Sequence, residues 1–286
     1  NSRFAALESG AVDMIEYVPW QDISAIRANP EFGYQGTPGP FMYLQFNVTQ
    51  APFNDARVRR AMGYAIDRDA IVKTAFFGRG TPIYGLPITK GNLAYDPALD
   101  HYYTYDPAKA KQMLGEAGFA NGFTATLLST SQYGMLKDTA QVVQQNLNAI
   151  GEHVTLALPD WATRIATGNA GRYQFAASGA VGDYPDPDFL TVYFHSGPTY
   201  YNYTTGYDDA TMDAMLSMAR GMLDPAGRAA MYGRIERKAL DDAPYIFLNY
   251  REQGYAYKKS VGGFRILPGF LVFYTAGTLD TITVTN

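Results

Sequence analysis

Apolar and polar residues along this chain follow two periods, and the switches between them fall at Gly, Pro and Asp. Residues 4–18 open with a helical spacing, Phe4 and Leu7, that Gly10 can end. Val12 and Met14 then alternate into a strand-like run at 15–18. A helix followed so closely by a strand is an α/β signature. Pro19 closes the run, and residues 22–30 predict a short helix with Ile23 and Ile26 inward, stopped before Pro30. "GTPGP" (36–40) is the densest Gly/Pro stretch and a candidate boundary or hinge. "FMYLQFNV" (41–48) has the aromatic and branched content of a buried strand.

Residues 54–78 predict two consecutive helices. Asn54 or Asp55 caps the first, with Val58, Met62 and Ala65 inward. The second starts near Asp67 and carries Ile71, Val72 and Phe76. Arg57, Arg59 and Arg60 fall mostly on the other side, as a solvated or salt-bridged face. "GRGTP" (78–82) lacks phosphate-loop spacing and is expected to be a turn, and 83–104 to be a long surface crossing. Residues 106–119 form a capped helix, with Asp106 at the cap, Pro107 first and Gly118 as the stop.

A strand at 123–130, a helix from 135 ending at Gly151 and a strand at 153–158 make a βαβ unit, which implies parallel strands. The strand at 173–181 delivers "VGDYPDPDFLTVYFHSG" at its carboxyl end, where open α/β sheets bind ligands. Two helices, 208–223 and 224–242, each begin at Asp. A strand follows at 243–250, then a tail of strand and loop.

Composition narrows the function. Among 286 residues, 23 Lys and Arg against 27 Asp and Glu give a net charge of -4, with no basic block, so a nucleic-acid or anionic-membrane partner is not suggested. The absence of cysteine excludes a disulfide framework, a thiol nucleophile and a thiolate metal site. No apolar run approaches the ~18 residues of a membrane span, and the start lacks a signal-peptide layout, so an export signal would lie upstream. The 23 Tyr, 16 Phe and 2 Trp suit either a ligand cleft or a Tyr-rich core.

Three carboxylates, Asp183, Asp186 and Asp188, crowd the loop after 181. The stiffening prolines and the missing Gly argue against a calcium loop. His101, His153 and His195 lie far apart, without the i, i+4 pairing of a metal site. Acids on one turn share an edge, whereas glycoside hydrolysis wants opposing walls. Neither Ser178 nor Ser196 sits in a nucleophile elbow. What remains is a fixed anionic anchor: Asp183, beside Tyr184, can pair with a ligand ammonium. Asp186 or Asp188 caps the following helix, with Pro187 in its first turn. Trp161 either packs the next helix or lines the same edge.

The blocks "LESGAVDMIEYVP", "YLQFNVTQAPFNDARVRRAMGYAIDRDAIVKTAFFGRGTP", "YDPAKAKQMLGEAGF", "LNAIGEHVTLALPDWATRI", "GDYPDPD" and "DPAGRAAMYGRIERKALDDAPYIFLNY" occur in one order across nearly the whole chain. Together they resemble the carboxyl-terminal half of the dipeptide/oligopeptide-type (family 5) extracellular solute-binding proteins of ABC importers. The resemblance implies an α/β, periplasmic-binding-protein-like type II lobe, a mixed sheet flanked by helices, with partial remnants of the first lobe. Residues 1–40 would be that remnant leading to the hinge, 41–250 the second lobe, and 251–286 a tail returning toward lobe one.

The same resemblance implies a periplasmic or membrane-tethered monomer that is not an enzyme and uses no cofactor or metal. It would bind a peptide-like or other amine-bearing solute and deliver it to ABC permease transmembrane subunits. Asp183 maps to the residue that takes a ligand amine, and Gly179, Ala180 and Val181 to the strand that pairs with a peptide backbone. Trp161 maps to a pocket wall, so the expected ligand-binding set is Asp183, Tyr184, Trp161, Gly179, Ala180 and Val181. Many relatives carry Trp where Ala180 stands, which puts dipeptide specificity in question. Oligosaccharides, opines and metal chelates are alternative solutes on the same scaffold, and a glycan-acting enzyme is the rival class.

Overall fold

A computed structural model describes residues 2–180, 186–197, 204–266 and 279–285. Helix α1 (Ser2–Glu8) and strand β1 (Met14–Glu16) lead through a 3-10 turn to α2 (Ile23–Ala28) and the long β2 (Phe32–Phe46). Then come α3 (Ala56–Ala65), α4 (Arg68–Ala75), β3 (Gly80–Pro82) and α5 (Pro107–Glu116). The central part is β4 (Thr124–Leu128), α6 (Gly134–Ala149), β5 (His153–Ala157), α7 (Trp161–Asn169) and β6 (Phe175–Ala180). A 3-10 turn at Pro187–Leu190 runs into α8 (Thr191–Phe194), followed by α9 (Ala210–Gly221), α10 (Pro225–Asp242) and β7 (Tyr245–Lys258). Short strands β8 (Val261–Gly262) and β9 (Thr283–Val284) pair antiparallel.

Aspartate punctuates this order. Asp55, Asp67, Asp106, Asp160, Asp209 and Asp224 stand at the caps of α3, α4, α5, α7, α9 and α10. Each carboxylate accepts a backbone N–H from the first turn. Such a cap satisfies a donor that the helix itself cannot, worth about 1 kcal/mol apiece. Gly118 and Gly151, at φ 96° and 105°, end α5 and α6 in a conformation that side chains disfavour.

The main sheet runs β1-β7-β2-β6-β4-β5, with β3 also on β7. Strands β4 and β5 are parallel across α6, and β4 is parallel to β6, while β2 lies antiparallel to both β6 and β7. On the side of β7 away from β2, β3 covers residues 249–251 and β1 covers 255–257, so among the described residues no strand pairs with 252–254 there. The chain at 17–20 crosses that gap: Val18 N–H donates to Gly254 O at 3.4 Å, and the Trp20 indole N–H to Glu252 O at 2.7 Å.

The core answers the question of the aromatics. Tyr43, Tyr193, Tyr245, Phe41 and Phe247 are all 2% exposed or less and interlock edge to face with centroids 5.5–5.8 Å apart. Each such ring contributes roughly 1.5–3 kcal/mol by burial, so most of the Tyr and Phe excess is spent on packing.

Residues 36–40, the candidate boundary or hinge, lie within β2, whose register to β7 shifts between Pro38 and Phe41. Other expectations need correction. The glycines at 78–82 lead into the edge strand β3 rather than forming only a turn. The crossing at 83–104 is not confined to the surface, because Ile83, Leu86, Ile88, Leu99 and Tyr103 enter the main core. Arg59 is not on a solvated face: it is 5% exposed and donates to the carbonyls of Phe53, Asp242 and Ala243. Arg57 does pair with Asp55 at the surface.

Candidate functional site

A cleft of about 1440 Å³ opens where β6, β7, α6, α7 and the segment 16–21 meet. Its first wall follows from local sequence. Asp160 caps α7 through the Thr163 N–H at 3.0 Å and hydroxyl at 2.7 Å, which fixes Trp161 as the first helical residue. The Trp161 backbone N–H donates to the Gln132 side chain at 2.9 Å, and its ring meets Tyr133 edge-on at 4.9 Å. One turn on, the Arg164 guanidinium lies 5.5 Å from the Trp161 ring centre.

The second wall is the carboxyl end of β6. Strand β4 ends at Leu128, opposite Ala176, so from Ala177 onward β6 has β2 on one side and no β4 partner on the other. Gly179 is exposed there and lines the cleft. Arg164 braces this edge by donating to Ala177 O at 3.1 Å and Ser178 Oγ at 2.5 Å. Ser178 Oγ in turn donates to Gln45 Oε1 at 3.0 Å, and Gln45 Nε2 to the Tyr173 hydroxyl at 2.7 Å.

The third wall comes from β7, where Arg251 and Gln253, two residues apart, share one face of the strand. They are 3% and 4% exposed. Tyr17 approaches this pair from the end of β1 with φ 52°, a backbone region that bulky residues rarely occupy. Arg3 lies 5.2 Å above the Tyr17 ring. The neighbouring Glu252 is already engaged, accepting from Arg27 at 3.2 Å and from the Tyr34 hydroxyl at 2.8 Å.

Burial without a facing carboxylate pushes the Arg251 guanidinium down to about 10, and burial lowers Arg164 as well. At neutral pH both stay charged, so the cleft holds two desolvated cations with donor capacity to spare. Burial also raises the Tyr17 phenol, keeping it a neutral donor or acceptor.

Of the expected ligand set, Trp161 and Gly179 come together in the cleft. Ala180 is 1% exposed within the main core and is not among the lining residues. Val181, Asp183 and Tyr184 lie outside the described residues. Asp186 caps the 3-10 turn, one of the two capping roles expected of this segment, while Asp188 accepts from the Thr191 hydroxyl at 3.1 Å and caps no helix. Both are ion-paired as well, with Arg228 and Arg220. His195 contacts Ser196 O through Nδ1 at 2.6 Å.

Sequence reading missed Tyr17, Gln45, Arg164, Arg251 and Gln253. For Arg251 one signal existed: it is the one cation in the largely apolar and aromatic stretch "IFLNYREQGYAY".

Comparisons with known proteins place this site in context. Residues 1–202 match the family model described as bacterial extracellular solute-binding proteins, family 5 Middle. The chain is 32% identical over 284 residues to the glutathione-binding protein GsiB of Pectobacterium atrosepticum, covering 95% of this chain and 54% of that protein. GsiB of Escherichia coli K12 is 30% identical over 278 residues, at 94% and 54% coverage. Among solved structures, the binding protein AgaA of A. tumefacien R10 in complex with agropinic acid superposes with a TM-score of 0.92 at 40% identity, covering 100% of this chain and 59% of that one. The chain thus spans about half the length of the curated relatives it matches.

Proposed function

The chain belongs to the bacterial extracellular solute-binding proteins, family 5, with their mixed α/β type II fold, and from that premise we propose that it is the greater part of a receptor for an ABC importer. It binds a small solute in the cleft, carries out no chemistry on it, and hands it as a monomer to membrane permease subunits outside the cytoplasm. The observation that carries this reading is the strand edge of β6 after Ala176, unpaired by β4 and flanked by Trp161 across the cleft. Such an edge offers backbone hydrogen bonds to an extended solute, and the aromatic wall offers an apolar face.

A peptide-like solute with a free amine fits that geometry, and glutathione, bound by a relative, is of this class. Asp183 is the proposed amine anchor. The proposed lobe boundary is the irregular part of β2 at Pro38–Phe41, beside Tyr250–Glu252 of β7, where two strands cross together and a hinge closure can act. Native mass spectrometry of the full-length protein from its host tests the reading: a co-purified solute of peptide size supports it, and none under any growth condition opposes it. An Asp183→Asn variant that holds the solute as tightly as wild type would remove the amine anchor.

A further inference from the structure

Three buried arginines show what distinguishes a structural guanidinium from one held in reserve. Arg68, 1% exposed, donates to the carbonyls of Gly63, Ile66, Tyr103 and Phe247. Arg59 donates to three carbonyls between α3 and the end of α10. Each ties distant segments together through backbone acceptors, as a packing arginine should.

Arg251 does not. It is 3% exposed, yet its recorded acceptor is the Met135 thioether at 3.4 Å, a weak one. Its Nε has no hydrogen-bond partner, and no carboxylate lies within 4.0 Å, among the described residues. A guanidinium carries five N–H donors in a fixed fork, and leaving it desolvated without an acceptor costs several kcal/mol in general. That arrangement is retained at the wall of a cleft, next to Gln253 and to Tyr17 in its left-handed backbone conformation.

The other charges on the cleft do not relieve it. Glu252 is taken by Arg27 and Tyr34, while Glu16 and Asp138 line the rim without an ion pair to Arg251. Arg3 and Arg164 add positive charge to the same space.

We propose that Arg251, with the Tyr17 hydroxyl and the Gln253 amide beside it, binds a carboxylate of the solute, so that the transported class is a small organic acid. The inference rests on the solute-receptor reading and narrows it. The planar fork matches a carboxylate with two parallel hydrogen bonds, stronger in a cleft that excludes water than at a surface. A neutral sugar would leave the charge uncompensated.

The test is calorimetric titration of the full-length protein, dialysed free of solute. The probes are glutathione, agropinic acid and Met-Leu, each as free acid and as carboxamide, with a neutral disaccharide and inorganic phosphate alongside. The expected result is that at least one free acid binds and that its carboxamide binds about 30-fold more weakly or worse. R251Q should lose the same factor for the acid only, and R251K should recover part of it.

The ligand-free Tm of R251Q should equal or exceed that of wild type, because an unpaired buried charge is removed; a packing arginine would lower it. Equal affinity of acid and carboxamide in the wild type, unchanged acid binding in R251Q, or binding of only the disaccharide or phosphate overturns the carboxylate subsite and leaves the receptor reading standing. Binding of no probe at all overturns the receptor reading and this inference with it. The wild-type comparison of acid with carboxamide decides the matter even if a variant fails to fold.

Discussion

Asp186 and Arg228 form a two-pronged pair, Oδ1 to Nη2 at 2.7 Å and Oδ2 to Nη1 at 2.9 Å, that ties the turn before α8 to the first turns of α10. Beside it, Asp188 accepts from Arg220 Nε of α9 at 2.9 Å. The turn at Pro187–Leu190 and its cap Asp186 are therefore pinned by two helices whose cations lie 32 and 42 residues away.

The hydrogen bonds from Arg228 hold Asp186 below the ordinary aspartate value of 3.8. A carboxyl lowered in the folded state stabilises above its unfolded value, and that stability is lost as pH falls through the folded one. Half of the Asp186 side chain is exposed, so solvent screening limits the pair to about 0.5–1 kcal/mol. Urea unfolding of Arg228→Ala should show this loss at about pH 7 and a smaller one near pH 3. An equal loss at both would mean that the pair is not its source.

Glu236 on α10 behaves oppositely. It is 3% exposed, and burial, reinforced by Asp96, pushes its carboxyl up to about 8 despite Arg237 nearby. The folded protein then holds a proton that the unfolded chain releases near 4.5, so stability falls as pH rises between the two values and flattens above about 8. The span amounts to a few kcal/mol. Glu236→Gln should abolish that slope and be the more stable protein at about pH 8. A wild-type stability that stays flat from about pH 5 to 8 would refute the assignment.

Arg68 is the contrast to Arg251. Removing it leaves four carbonyls without their shared donor, so Arg68→Ala should cost about 3–5 kcal/mol and lower Tm by several degrees. Thermal denaturation that shows under ~1 kcal/mol would contradict its packing role.

Trp161 is only partly buried and lines the cleft while packing against the edge of the main core, so Trp161→Ala should weaken solute binding about tenfold while costing less stability than loss of a fully buried core ring. Asp160→Ala, which frees the cap beneath it, should cost about 1 kcal/mol and weaken the same binding to a smaller extent. Calorimetry paired with urea titration separates the two effects. A Trp161 variant with native affinity but reduced stability would place the ring in packing alone.

Local rules were legible in this sequence. The aspartate caps, the glycine stops and the βαβ unit from 124 to 157 all follow from interactions within a few residues, which composition and period report directly. Trp161 could be nominated because it sits just after a strand end that the same rules locate, whereas Gly179 was named only through the family resemblance.

By itself, then, the sequence determined where most helices begin and end, because caps, stops and hydrophobic period are short-range effects, while the full extents of β2 and β7 and the pairing of β3 depended on partner strands. Tertiary structure alone decided which polar groups are buried and what they face. Nothing local separates Arg57, paired at the surface, from Arg59, drawn under the end of α10, or gives Arg68 four carbonyls and Arg251 a thioether. Those fates depend on segments 35 to 184 residues apart in the chain meeting in one place, and desolvation is set by that meeting and not by neighbours in sequence.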